Sequence, residues 1–525
     1  MVLDYHYECF ASSSNPFYSE RFVFPKEVEA DQFRSLRAMM SASCAQTNNR
    51  EAGMSAEIVF STAVELAGRI ARKELSAREV MQAHLDQIER VNPTINAIVA
   101  MLDPEDALTL ADAADARQAA GEPLGVLHGL PTAFKDLVNA TGFPTSQGSP
   151  IFAGTYPLQD DLIVERIRKA GAIGIGKTNV PEFGLGSHSF NPVYGVTRNP
   201  YDQRKTAGGS SGGAGAALAT GMLPIADGSD MGGSLRNPGN FNNVVGFRNS
   251  AGLVPRWPNG MPWLPLSVKG ALGRTVGDIA LQLQAIAGYD RRDQASSFVD
   301  PASFARPLDR DFRGVKVAFS PDLGALPIDR GVRGVIEASR PVFEDLGLSV
   351  SDAAPNLSAA DRIFLDLRAF SLASGMGELL KTHRDQIKPE AIWNIEEGLK
   401  LSAVDVGQAL IKQSQLFQQV HEFMEEHEFL ITVVNQVPPF DHDIRYPTEI
   451  DGVQLDTYLD WMRSAYWITA TAHPAISVPG GFTPEGLPVG IQIVGRHGAD
   501  FEVLQLAHAF EAATPHWKTR PTVAG

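Results

Sequence analysis

Gly208-Gly209-Ser210-Ser211-Gly212-Gly213 and Gly228-Ser229-Asp230-Met231-Gly232-Gly233-Ser234, joined by the small-residue run 214–223, form the stretch whose reading decides the fold. Glycines on both sides of a hydroxyl remove the side chains that would shield it. They also permit φ > 0, so that several N–H groups can gather around one point. A serine nucleophile with an oxyanion hole has that requirement. The run between the clusters predicts a buried helix, closed by Gly221 and Pro224. On either side, helical patterns alternate with short apolar strands, which indicates an α/β protein.

Upstream, Ser76-Ala77-Arg78-Glu79 has the spacing of a capping box before Val80, Met81, His84, Leu85 and Ile88, and Asn92-Pro93 is expected to end that helix. Residues 96–102 read as a strand. Asp103-Pro104 then supply a cap and first-turn proline for an alanine-rich helix that stops near Gly121. A strand over 132–138 carries Lys135, and an amphipathic helix over 161–170 follows it. Beyond the serine clusters, residues 359–428 are mostly helical and 436–452 form a proline-bearing loop expected to border a substrate pocket. Residues 476–479 and 489–494 read as core strands, and 501–512 as a terminal helix. No linker interrupts residues 54–525, so the expectation is one large α/β domain with a central mixed sheet covered by helices on both faces. Residues 1–53 differ in style and are expected to be a mobile or non-native extension, with Met54 as a second plausible start.

Composition narrows the chemistry. With 44% hydrophobic and 20% charged residues the chain is globular in type, and its net charge of −16 disfavours a nucleic-acid or anionic-membrane surface. A small neutral or weakly charged substrate fits better. Both cysteines, Cys9 and Cys44, lie in the first 53 residues, which leaves the body without thiolate chemistry, disulfides or cysteine metal sites. No apolar stretch approaches the roughly 18 residues of a membrane span. The chain is read as cytoplasmic, and a homo-oligomer stays open.

Three motifs invite other readings. Gly171-Ala172-Ile173-Gly174-Ile175-Gly176-Lys177-Thr178 spells a phosphate-binding loop, but a helix precedes the glycines and Asn179-Val180-Pro181 follows, so a helix stop and a buried strand are expected instead. His421 and His427, six residues apart, fall on different helix faces, and nothing in the chain calls for a metal or cofactor. Gly208-Gly209-Ser210-Ser211-Gly212 also satisfies the nucleophile elbow of α/β-hydrolases, with Ser210 as nucleophile and His473, His497 or His508 as base. That reading leaves the cluster around Ser234 without a role.

The order Lys135, Ser210, Ser234 and its surroundings resemble the amidase signature family of serine hydrolases. The resemblance covers Gly129–Asp136, residues 170–183, Gly195, Asn199-Pro200, both serine clusters with Leu235-Arg236, and Leu487–Gln492. It implies the amidase signature fold and a triad of Lys135 as base, Ser210 as bridging serine and Ser234 as nucleophile. It also implies a cis Gly209–Ser210 peptide and an oxyanion hole of N–H groups from Met231, Gly232, Gly233 and Ser234. Ser211 is expected as a supporting neighbour, and Asp230 and Arg236 as a buried pair holding the nucleophile loop. Lys135 can act as base only when neutral, a state that burial promotes.

The implied activity is hydrolysis of a carboxamide, with a lean to aryl or medium-chain acyl groups and with carbamates or esters as further substrates. Trp257, Trp263, Phe134, Phe364 and Phe370 are pocket candidates, although core packing is the stronger expectation for each. A glutaminase component of a transamidation complex is an alternative, weakened because Gly246-Phe247-Arg248-Asn249-Ser250 departs from the Gly-Leu-Lys-Pro pattern of that branch. A non-catalytic binding protein on the same scaffold is another, although all three triad positions are intact.

Overall fold

The computed structural model describes residues 57–525, so the expectations for residues 1–53 lie outside the described residues. Its first strands, β1 (Ile98–Val99), β2 (Pro131–Lys135) and β3 (Ile173–Thr178), form a small sheet in the order β1-β3-β2. Strands β4 (Ile225–Asp230), β5 (Val245–Arg248), β6 (Val268–Gly273), β7 (Lys316–Ser320), β8 (Ser349–Asp352), β9 (Phe429–Val433), β10 (Ala475–Phe482) and β11 (Pro488–Gly495) form the main sheet. Its order is β8-β7-β9-β11-β10-β5-β6-β4. The pairs β8/β7 and β7/β9 are parallel and the rest antiparallel, giving a mixed sheet. Every residue of β4, β5, β9 and β11 is buried. Since alternate residues of a strand face opposite sides, both faces there are covered.

Local chemistry sets the helix starts. Thr62, Ser76, Thr275 and Ser402 each form a full capping box, and Asp103 caps the helix Pro104–Ala119 by accepting from the Glu105 N–H. Helix Ala77–Ile95 buries Val80, Met81, His84, Leu85, Ile88, Val91 and Ile95, a stripe at helical spacing. It runs past the expected stop at Asn92-Pro93. Near the helix end Pro93 forfeits only its own N–H, and the Asn92 side chain accepts from the N–H groups of Ala97 and Ile98. Those bonds also shorten the expected strand 96–102 to Ile98–Val99. The strand expected to reach Val138 stops at Lys135, where the Val138 N–H closes a turn on the Lys135 carbonyl.

The small-residue helix is Gly212–Ala219, with all eight residues buried. It ends sooner than its composition suggests because Gly221 takes φ +72° and the Met222 N–H returns to Ala217. A Cβ on Gly213 would come within 2.3 Å of the Asn179 N and 2.5 Å of the Ala97 O, so the helix rests directly on backbone. This contact brings Ser210 and Ser211 up against β2. We predict that Gly213→Ala destabilises the fold by about 1–3 kcal/mol, while Gly334→Ala, in open space, shifts it by less than about 1 kcal/mol. Thermal melting of both variants checks this, and equal midpoints would refute the close packing.

Candidate active site

Lys135 ends β2 fully buried, and its backbone N–H donates to Asp227 Oδ1 on β4 at 2.9 Å. Asp227 and Ser229 share one face of β4 by strand alternation. Both therefore meet the lysine. Its Nζ lies 2.8 Å from Ser210 Oγ, 2.8 Å from Ser211 Oγ and 2.9 Å from Ser229 Oγ. Burial lowers the Lys135 pKa to about 7, helped by the nearby positive charge of Lys269 and opposed by Asp227 and Asp230. Ser211 is thus in direct contact with the lysine, closer than the supporting neighbour the sequence suggests. Ser229 and Asp227 escape the sequence reading, and their period-two placement on a strand is the signal that points to them.

The two glycine-rich clusters meet where the Ser211 N–H donates to the Ser234 carbonyl at 3.3 Å. The Gly209–Ser210 peptide is cis. Ser210 and Ser234 both line a cavity of about 130 Å³, with Lys135 behind them. The Ser234 hydroxyl makes no hydrogen bond among the described residues. It faces the cavity unengaged, and catalytic hydrogen bonds are often loose before substrate arrives.

The loop carrying Ser234 is organised by Asp230. Its carboxylate accepts from the N–H groups of Gly233 (3.0 Å) and Leu235 (3.2 Å), and from Arg236 Nε and Nη2 (3.0 and 2.9 Å). Arg248 Nη1 adds bonds to the Asp230 carbonyl at 2.7 Å and its carboxylate at 3.3 Å. Burial opposes the charge on Asp230, but Arg236 and Arg248 hold its carboxyl well below the usual range. Burial in turn lowers the Arg248 pKa to about 10. Arg236 is further fixed by Gln492 Oε1 at 2.6 Å and the Ala465 carbonyl at 2.9 Å. Asp230 occupies the N–H of Gly233, one of the four groups expected as oxyanion donors. The N–H groups of Met231, Gly232 and Ser234 have no acceptor among the described residues.

The rival motifs serve the fold in other ways. Residues 173–178 are the buried strand β3, and Lys177 donates to the Val138 carbonyl at 2.6 Å with Asp136 Oδ1 at 3.8 Å. Asp136 is buried too, because the chain has turned there and Ser146 and Gly148 bond its carboxylate. Among the described residues no histidine lines the serine cavity, and Nδ1 of His473 bonds the Thr471 carbonyl. His421 and His427 stack on Phe417 and Phe423, and no metal-type cluster occurs among the described residues.

Of the aromatic candidates only Phe364 lines the serine cavity, stacked on Tyr466 at 4.3 Å. Phe134 is core, Trp263 is exposed, and Trp257 lines an adjoining cavity of about 320 Å³. Leu137, Met231 and Ser267 border both spaces. The loop 436–452 lines neither, since its Phe440 packs against Trp461 and His188 instead.

The family model described as Amidase matches residues 79–504. An acylamidase of Rhodococcus erythropolis is 35% identical, covering 88% of this chain and 97% of the relative. The A subunit of the glutamyl-tRNA(Gln) amidotransferase of Acidothermus cellulolyticus is 34% identical, covering 87% and 95% respectively. Among solved structures, a bacterial aryl acylamidase of the amidase signature enzymes superposes with a TM-score of 0.81 at 29% identity, covering 87% of this chain and 98% of that one.

Asp230→Asn would leave two buried guanidinium groups without their counter-ion, and we predict a loss of about 3–5 kcal/mol in stability. Denaturant titration reads this directly, and a loss below about 1 kcal/mol would show that the cluster does not hold the loop.

Proposed function

This chain belongs to the amidase signature family and hydrolyses amide bonds, and we propose that it does so through an acyl-enzyme on Ser234, with Ser210 relaying the proton to a neutral Lys135. The observation that carries the reading is the buried Lys135 amine, 2.8 Å from Ser210 Oγ and with its pKa lowered to about 7. Ser234 Oγ attacks the amide carbon while its proton passes to Ser210, whose own proton moves to Lys135. The developing oxyanion is met by the N–H groups of Met231, Gly232 and Ser234. Lys135 returns the proton through Ser210 to the leaving nitrogen, the C–N bond breaks, and ammonia or an amine departs. Water then attacks the ester by the same route and releases the acid.

Ser210 and Ser211 contact the lysine at equal distance, but only Ser210 also lines the cavity. That favours Ser210 as the bridge. Ser229 would share the work of holding the amine. The cavity walls of Phe183, Leu185, Phe364, Leu372, Leu459 and Met462 suit an aryl or alkyl acyl group. A volume near that of a benzene-binding cavity supports one ring or a short chain. The adjoining space past Met231 gives room for a longer substrate.

Glutamine hydrolysis within a transamidation complex is the second reading, favoured by the 34% identity to the A subunit of an amidotransferase. A panel of aryl amides, fatty amides, glutamine and carbamates separates the two.

We predict that Ser234→Ala lowers kcat about 10⁴-fold and abolishes fluorophosphonate labelling, and that Ser210→Ala costs far more than Ser211→Ala. Near-normal turnover by Ser234→Ala, or an adduct on Ser210, would overturn the assignment. Because the base works deprotonated, kcat/KM should rise with pH through about 7 and level off above it. A flat profile from about pH 5 to 9 would contradict the neutral lysine.

A further inference from the structure

Helix Ala360–His383 gives the serine cavity Phe364, Arg368 and Leu372, spaced four apart and so on one face. Two of the three suit an apolar acyl group. Arg368 does not. It is only 5% exposed, yet no carboxylate pairs with it among the described residues. Its Nη1 meets the thioether sulfur of Met231 at 3.3 Å, and Nη2 donates to Tyr458 Oη at 3.0 Å. Its Nε is buried with no acceptor. A sulfur, a phenol and the face of Phe364, 6.0 Å from the guanidinium carbon, are weak partners for a delocalised cation with five N–H donors, and buried guanidinium groups are ordinarily matched by an anion.

The surroundings do not supply that anion. Tyr458 Oη also accepts from Asn394 Nδ2, so its own proton has no acceptor among the described residues and can be donated. Lys388 is a second cation nearby, bonded to the Leu185 carbonyl at 2.6 Å, and Leu185 lines the same cavity. The Glu390 carboxylate beside it is engaged by Arg445 at 2.7 and 2.5 Å, and Glu182 by Ser149 and the Lys388 N–H. Positive charge is therefore in surplus on this wall. Met231 ties the wall to the reaction centre, because its backbone N–H belongs to the proposed oxyanion set while its side chain touches Arg368.

We propose that Arg368 determines specificity by binding a carboxylate at the far end of the acyl group, so that the enzyme acts on half-amides of short dicarboxylic acids. The proposal rests on the acyl-enzyme reading above and narrows its substrate class. An anchor this deeply buried suits the acyl part, which stays on the enzyme through both halves of the reaction while the amine departs. Donors left unpaired in a buried site discriminate strongly against a ligand that lacks the matching group.

The test compares glutaryl 4-nitroanilide with its neutral isostere, 5-methylhexanoyl 4-nitroanilide, on the wild-type chain, Arg368→Met and Arg368→Lys. Fluorophosphonate labelling of Ser234 is measured alongside. The wild type should favour the glutaryl substrate at least about tenfold in kcat/KM. In Arg368→Met that ratio should fall toward one through KM, and Arg368→Lys should restore part of it. With Ser234 labelled, a preference for the neutral anilide, no cleavage of the glutaryl one, or equal losses on both in Arg368→Met would overturn the proposal and leave the acyl-enzyme reading standing. Absence of labelling together with absence of cleavage would remove both.

Discussion

One carboxylate organises the centre of this molecule. Asp230 ends β4, and its two oxygens take the N–H groups of Gly233 and Leu235 and the guanidinium of Arg236, while Arg248 approaches from β5. Through Arg236 the network reaches Gln492 on β11 and the carbonyl of Ala465 on the helix Arg463–Ala470. Four parts of the chain that are distant in sequence thus converge on a charge cluster closed to water. Its geometry presents Ser234 to the cavity and leaves the Met231, Gly232 and Ser234 N–H groups unbonded. A neutral residue at position 230 would neither hold the loop nor balance the two arginines.

Burial opposes charge at both Asp230 and Lys135, with opposite outcomes. Around Asp230, cations outweigh desolvation and the group stays ionised. Around Lys135, desolvation outweighs the carboxylates, and hydroxyls rather than anions contact the amine. Asp227 bonds the lysine's backbone instead of its side chain, fixing position without restoring the ammonium form. The fold thereby keeps one buried group charged and lets the other approach neutrality, and the groups placed around each buried atom decide which.

Much of this is legible in the sequence because glycine clusters, capping boxes and a buried small-residue helix are local signals. Ser76 and Glu79 announce their helix, and the Asp230–Arg236 pair follows from the glycine-rich loop around Ser234 itself. What the sequence hides is non-local. Arg248 looks like a departure from a pattern until β5 is laid two strands from β4, where its side chain reaches Asp230. Ser211 and Ser229 are indistinguishable from Ser210 as hydroxyls in glycine-rich segments, and only the packing of β2 shows that all three touch one nitrogen. Arg368 lies in the helical region with the fewest diagnostic residues, and nothing near it in sequence reveals that it lines the serine cavity. The loop 436–452 misleads for the converse reason: its prolines mark an irregular path, but its Phe440 is drawn inward to Trp461.

Met231 has a double position. Its main chain belongs to the loop that precedes Ser234, while its side chain, with Leu137 and Ser267, borders the two adjoining spaces. Any residue but proline can supply the main-chain N–H, whereas the partition depends on the bulk of that one thioether. Exchanging that single side chain can therefore enlarge or divide the room beside Ser234 while the loop's main-chain hydrogen bonds stay as they are, so divergence in substrate size need not come with lost turnover.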